Sequence, residues 1–209
     1  MTRLLLLRHG QSEWNAAGRW QGWADTGLTA LGVRQAELAA DRLVAEGAVF
    51  DAVASSDLSR SLVTAQILAD ALGLAPPLSV PGLREFDVGE WSGLTRPEIE
   101  TAWPGALDAW RRGALERTPA GEARDVFAAR VTSAIHALAA AHPEGCLLVV
   151  THGGVIGTLQ RLVGLDGQKE KLINLCGRWF EAGAGELSAG NPVALLDPDA
   201  DSPAITPVP

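Results

Sequence analysis

Cysteine is nearly absent. Cys146 and Cys176 are the only two, and their spacing excludes a disulfide framework and a Cys-x-x-Cys zinc ribbon. No apolar run approaches the ~18 residues of a membrane-spanning helix. The first such run, Leu4–Leu7, ends at Arg8 and His9. It is too short for the core of a secretion signal, so no signal peptide is expected. Positive charge is in deficit: 17 Lys and Arg stand against 25 Asp and Glu, a net charge of −8. That balance argues against nucleic acid as a partner, which needs a basic face, and against an anionic membrane surface. What remains is ordinary globular composition, 47% hydrophobic and 20% charged over 209 residues, which argues against disorder. The expectation is a cytoplasmic protein of one domain over residues 1–196, able to fold without disulfide or metal. No feature selects its oligomeric state, and a homodimer stays open.

The pattern of apolar residues predicts α/β architecture. Leu4–Leu7 reads as a strand buried on both faces, as in a parallel sheet. Thr29 reads as the N-cap of a helix over Ala30–Glu46, and Gly47 as its terminator. A second strand is expected over Asp51–Ser55, a helix over Asp57–Leu72, and a short strand over Leu78–Val80. Residues 91–122, rich in Trp, Pro and Gly, read as a small helical cap, with Thr95, Pro97 and Glu98 forming a helix start. A long helix over Asp125–Ala141, a strand over Leu147–Thr151 and a helix over Gly154–Leu162 follow. Strands alternating with helices predict a doubly wound, mainly parallel sheet with helices on both faces. The Gly-, Pro- and Asp-rich stretch from Gly183 predicts one edge strand at Val193–Leu196 and a disordered tail over 197–209.

Ligands in such sheets bind beyond the carboxyl ends of the strands. There the sequence places Arg8, His9 and Gly10, then Asp57 and Arg60, then Glu85, then His152, Gly153 and Gly154. With only four histidines in the chain, this clustering is informative. Two guanidinium forks and two imidazoles suit a phosphate dianion. The glycines after His152 open a helix whose N-terminus favours an anion. One histidine is suited to attack phosphorus and the other to donate to its oxygens. Nearby arginines disfavour the imidazolium form and keep a ring nitrogen free. Glu85 is suited to protonate the leaving oxygen.

The same residues carry a family resemblance. The segment Arg8-His9-Gly10-Gln11-Ser12-Glu13-Trp14-Asn15 resembles the RHG signature of the histidine phosphatase superfamily, also called phosphoglycerate mutase-like. Five further segments match in order: Gly18–Gly22 with Asp25 and Leu28-Thr29; Ser55–Arg60 with Thr64-Ala65; Leu83-Arg84-Glu85 with Gly89–Leu94; Gly121-Glu122 with Arg130; and Thr151–Gly154. The resemblance implies that His9 becomes phosphohistidine, that Arg8, Arg60 and His152 complete the phosphate pocket, and that Glu85 is the acid and later the base. It implies that Asn15, Gln21 and Gly153 contact the phosphoryl group, and that neither metal nor cofactor takes part. The partner it implies is a small-molecule phosphomonoester. Mutases of the family usually carry a longer insertion between the glutamate and the second histidine, and an Asn after His-Gly. Here 66 residues separate Glu85 from His152, and Gly154 holds the Asn position. A phosphatase is therefore expected, with phosphoglycerate mutase as the alternative.

Overall fold

The computed structural model describes residues 1–165 and 172–196. The chain runs β1 (Thr2–Arg8), α1 (Glu13–Ala16), α2 (Ala30–Ala45), β2 (Ala52–Ser55), α3 (Ser59–Ala71) and β3 (Leu78–Ser79). After 3₁₀ turns at Pro81–Leu83 and Gly89–Trp91 it continues through α4 (Arg96–Ala102), α5 (Ala106–Arg111), α6 (Arg124–Ala141) and β4 (Cys146–Thr151). It then forms α7 (Gly153–Leu162), β5 (Cys176–Gly183) and β6 (Glu186–Ala194). The six strands form one sheet in the order β3-β2-β4-β1-β5-β6. The first three pairings in that order are parallel and the last two antiparallel.

The leucines of β1 explain the layers. Side chains alternate across a strand, so Leu4 and Leu6 enter one core and Leu5 and Leu7 the other. The first core is closed by Val131, Ile135 and Leu138 of α6 and by Val155, Ile156 and Leu159 of α7. The second is closed by Ala39 and Leu43 of α2 and by Ala65, Leu68 and Ala69 of α3. Helices therefore cover both faces, and the mainly parallel α/β sheet is as the sequence predicts. Each such leucine, buried in full, stabilises the fold by about 1.5–3 kcal/mol.

Helix starts follow their caps. Thr29 accepts the Gly32 N–H at 3.0 Å, and Thr95 forms a capping box with Glu98. Between Trp91 and Thr118 the two short helices α4 and α5 extend the first core through aromatic packing. Trp91 stands edge-on to Trp20 at 5.3 Å and to Trp110 at 6.2 Å, and Phe86 touches Trp110 and Phe127. Arg111 and Arg112 are exposed on the outer side, each 3.8 Å from Asp108.

Three local expectations change. The edge strand expected at Val193–Leu196 is instead β6, which starts at Glu186 and forms a hairpin with β5. No sequence alternation marks β5, because its burial is two-sided and it carries Arg178 within its apolar residues. Gly177 is needed there, since a side chain would collide with the Leu6 carbonyl. Helix α3 begins at Ser59 and not at Asp57. Asp25, from a distant loop, caps it by accepting the Ser59 N–H and O–H, each at 2.7 Å. The third strand is only two residues long. The tail expected over 197–209 lies outside the described residues. Among the described residues no helix is long and apolar enough to cross a membrane.

Candidate active site

Strand register assembles the site. In the parallel β1–β4 pair Arg8 stands opposite Thr151, so His9 and His152 leave the sheet side by side. Their ring centroids are 5.2 Å apart, edge to face. In the β2–β4 pair Ser55 stands opposite Val150, and the Ser56 N–H donates to the Val150 carbonyl at 3.1 Å. Ser56 and the start of α3 are thereby placed beside the same two rings.

Both histidines are buried, and both are held well below the usual imidazole pKa. Burial is the main cause for each, and the charges of Arg60 and Arg8 add to it. Each ring is therefore neutral at pH 7 and carries one proton. In His9 the position of that proton follows from geometry. Nδ1 lies 2.6 Å from the Gly10 carbonyl, which can only accept, so Nδ1 carries the hydrogen. Nε2 of His9 is left with a free lone pair. The backbone beneath is fixed too. Asn174 donates to the His9 carbonyl at 2.7 Å, and Thr64 accepts the Gly10 N–H at 3.1 Å.

Arg8 and Arg60 flank the rings. Arg60 is 1% exposed and donates to the carbonyls of Gly22 and Ala24, both at 2.8 Å. Among the described residues its Nε has no partner, and burial pulls its pKa down to about 10, so it stays charged at neutral pH. Arg8 donates to the Leu172 carbonyl at 2.7 Å. Among the described residues neither guanidinium forms an ion pair with a carboxylate. Two guanidiniums drawn out of water, with Glu85 near both but paired to neither, make a site for an anion.

Glu85 faces this group from the turn after the Pro81–Leu83 helix. Its Oε1 accepts the Phe86 N–H at 2.8 Å, and its Oε2 accepts the Gly154 N–H at 3.0 Å. Gly154 must be glycine for this, because a Cβ there would overlap Oε1 and lie 3.0 Å from Cδ. Arg84 does not compete for Glu85. It forks onto Asp57 at 2.8 and 2.5 Å, which holds the Asp57 carboxyl below the usual carboxylate range. Arg130 anchors the glutamate's turn by donating to the carbonyls of Gly82, Arg84 and Glu85 while paired with Glu122.

The remaining predicted residues lie around this centre. Gly153 opens α7 beside Arg8. Asn15 is buried and completes the capping box of α1, accepting the Ser12 N–H at 3.3 Å. Gln21 is buried, and its Oε1 accepts from Ser12 and Thr26. The acceptor ends of both amides are thus engaged in holding the loop. Trp20 belongs to the core, while Trp23 is 41% exposed and donates to the Glu85 carbonyl at 2.8 Å. Ser56, Ser61, Thr64 and Asn174 also contact the site; Ser56 and Thr64 fall within the segments that carry the family resemblance, but the sequence assigns none of the four a role there. For the serines a signal existed: a hydroxyl just past a strand end and another in the following helical turn. Asn174 follows no strand end and had none. Among the described residues no group of three or more His, Cys, Asp and Glu is placed to hold a metal ion.

Known proteins resemble this chain in sequence and in fold. A family model described as "Histidine phosphatase superfamily (branch 1)" matches residues 4–176. A protein of Mycolicibacterium vanbaalenii named glucosyl-3-phosphoglycerate phosphatase is 37% identical, over 93% of this chain and 90% of its own. A 2,3-bisphosphoglycerate-dependent phosphoglycerate mutase of Brucella ovis is 38% identical, over 78% of this chain and 81% of its own. The solved structure of Bacillus stearothermophilus YhfR superposes with a TM-score of 0.81 at 29% identity, covering 90% of this chain and 95% of that one.

Proposed function

The chain belongs to the histidine phosphatase superfamily, and from that premise we propose that it is a metal-independent phosphomonoesterase acting through a phosphohistidine on His9. The observation that carries the reading is the pair of guanidiniums, buried Arg60 and half-buried Arg8, which among the described residues form no ion pair with a carboxylate and stand beside two neutral histidines. A phosphoryl dianion supplies the missing charge.

The reaction has two steps. The lone pair on His9 Nε2 attacks phosphorus, and the phosphorus–oxygen ester bond breaks. Protonated Glu85 gives its proton to the departing oxygen, an effect typically worth ~10²–10⁴ in rate. Water then attacks the phosphohistidine, Glu85 takes a proton from it, and the phosphorus–nitrogen bond returns its electron pair to Nε2. Arg8, Arg60, His152 and the Gly153 N–H hold the phosphoryl oxygens throughout, and preorganised charge of this kind supplies much of the acceleration. Asn15 and Gln21 shape the wall beside them.

The substrate is a small phosphorylated metabolite, and the mycobacterial relative's name puts glycosylated phosphoglycerate among the compounds to try. The Brucella relative keeps phosphoglycerate mutase as a second reading. The 66 residues between Glu85 and His152 and the glycine at 154 favour hydrolysis. Phosphate release from 3-phosphoglycerate, glycosylated phosphoglycerate, sugar phosphates and nucleotides, in EDTA, decides between them. His9-dependent release identifies the hydrolase. No release, with 3- to 2-phosphoglycerate conversion once bisphosphoglycerate is added, overturns it in favour of the mutase. Activity lost in EDTA and restored by a divalent ion overturns the metal-free step.

A further inference from the structure

Two serines touch the ring of His152, and counting protons around them decides which ring nitrogen carries hydrogen. Nε2 of His152 lies 2.9 Å from Ser56 Oγ and 3.3 Å from Ser61 Oγ. All three residues are fully buried. Ser56 sits one residue beyond β2, and Ser61 lies in the first turn of α3. The Ser56 oxygen also accepts the Leu58 N–H at 3.3 Å. Among the described residues neither hydroxyl has any other acceptor.

The neutral imidazole has one proton to place. If it sat on Nε2, two serine protons would be buried without an acceptor, which folded interiors avoid. With Nε2 bare, the Ser56 proton has a well-placed acceptor and the Ser61 proton a weaker one. The ring proton then sits on Nδ1, on the other flank of the ring. That atom is buried and, among the described residues, has no partner.

We infer that Ser56 and Ser61 are positioning residues for His152, whose hydroxyls donate to Nε2 and hold the ring as the Nδ1–H tautomer, presenting one N–H to a phosphoryl oxygen. This rests on the phosphatase reading of the same site. It gives the two histidines one tautomer and opposite tasks. In His9 the Nδ1–H is engaged by the Gly10 carbonyl, and the bare nitrogen is free to attack. In His152 the bare nitrogen is engaged by the serines, and the N–H is free to donate. The substrate would bring the acceptor that the described residues do not provide.

The test reads the resting protein. Full-length chain labelled with ¹⁵N-histidine is examined by two-bond ¹H–¹⁵N correlation, which separates protonated from bare ring nitrogens; the His152 signals are assigned by their loss in His152→Gln. The expected wild-type spectrum has protonated Nδ1 and bare Nε2 at His152. Ser56→Ala should shift His152 toward a mixture of tautomers, and Ser61→Ala less so, because its contact is longer. The double variant should bind inorganic phosphate about 10-fold more weakly, the loss of roughly one hydrogen bond to an anion. A protonated Nε2 in the wild type overturns the inference, even if the double variant fails to fold. An unchanged tautomer in a folded double variant overturns it as well. Neither spectrum depends on turnover, so a failed phosphatase reading would appear separately, as absent His9-dependent phosphate release.

Discussion

Replacing Gly154 with alanine isolates the acid from the rest of the site. The added Cβ would overlap Glu85 Oε1 and stand 3.0 Å from Cδ, so the carboxylate must withdraw. Clearing the overlap takes about 1 Å, and a misplacement of that size costs on the order of 10² in rate. Stability should barely move. Alanine in a helix gains up to about 1 kcal/mol over glycine, while the lost Gly154 N–H to Oε2 bond costs about 1 kcal/mol. Gly154→Ala should therefore melt within a few degrees of wild type while its kcat on an alkyl phosphomonoester falls about 100-fold. An aryl phosphate needs less help from an acid and should lose much less. The assay is phosphate release from both ester types, with thermal unfolding alongside. A wild-type kcat on the alkyl ester refutes the steric argument. Equal losses on both esters would mean that the substitution damages phosphate binding and not proton transfer.

Glu85→Gln keeps the shape and removes the proton, so it should reproduce the same split between leaving groups without any steric change; steady-state kinetics on the two esters checks it. The pH dependence of stability follows from the buried neutral histidines. His9 and His152 lie well below 6.5 when folded and near 6.5 when unfolded, so below that pH only the unfolded chain takes up their protons. Stability present above about pH 6.5 should fall by about 1.4 kcal/mol per pH unit for each histidine as the pH drops toward their folded values. Denaturant titrations at pH 8 and pH 5.5 measure this, and equal stabilities would contradict it. For the same reason neither histidine should add an acid limb to kcat/KM near pH 6.5, and any limb there should follow the second ionisation of the substrate phosphate, at about pH 6. Arg130→Met leaves Glu122, whose side chain is 9% exposed, without its ion partner and frees three carbonyls of the Glu85 turn. It should cost about 3 kcal/mol or more in urea unfolding, and a loss below 1 kcal/mol would deny the anchor.

Short-range physics made much of this protein readable from its residues alone. A strand buried on both faces must be apolar throughout, so Leu4–Leu7 and Leu147–Val150 announced a parallel sheet. Helix caps act within three residues, so Thr29 and Thr95 marked their helices. Because parallel strands end on one side, the residues after them had to converge, and His9, Arg60, Glu85 and His152 did. Tertiary structure decided what depends on distant partners. Asp25 moves the start of α3, Arg84 chooses Asp57 over Glu85, and the acceptor ends of Asn15 and Gln21 are taken up by loop contacts. The β5–β6 hairpin has no clean alternation to betray it, since β5 is buried on both sides. The strand register that sets two rings 5.2 Å apart, and the two serines that meet one of them, arise from residues up to 143 apart in sequence. No local pattern encodes which nitrogen of a ring meets a hydroxyl; that follows only once the sheet has closed around it.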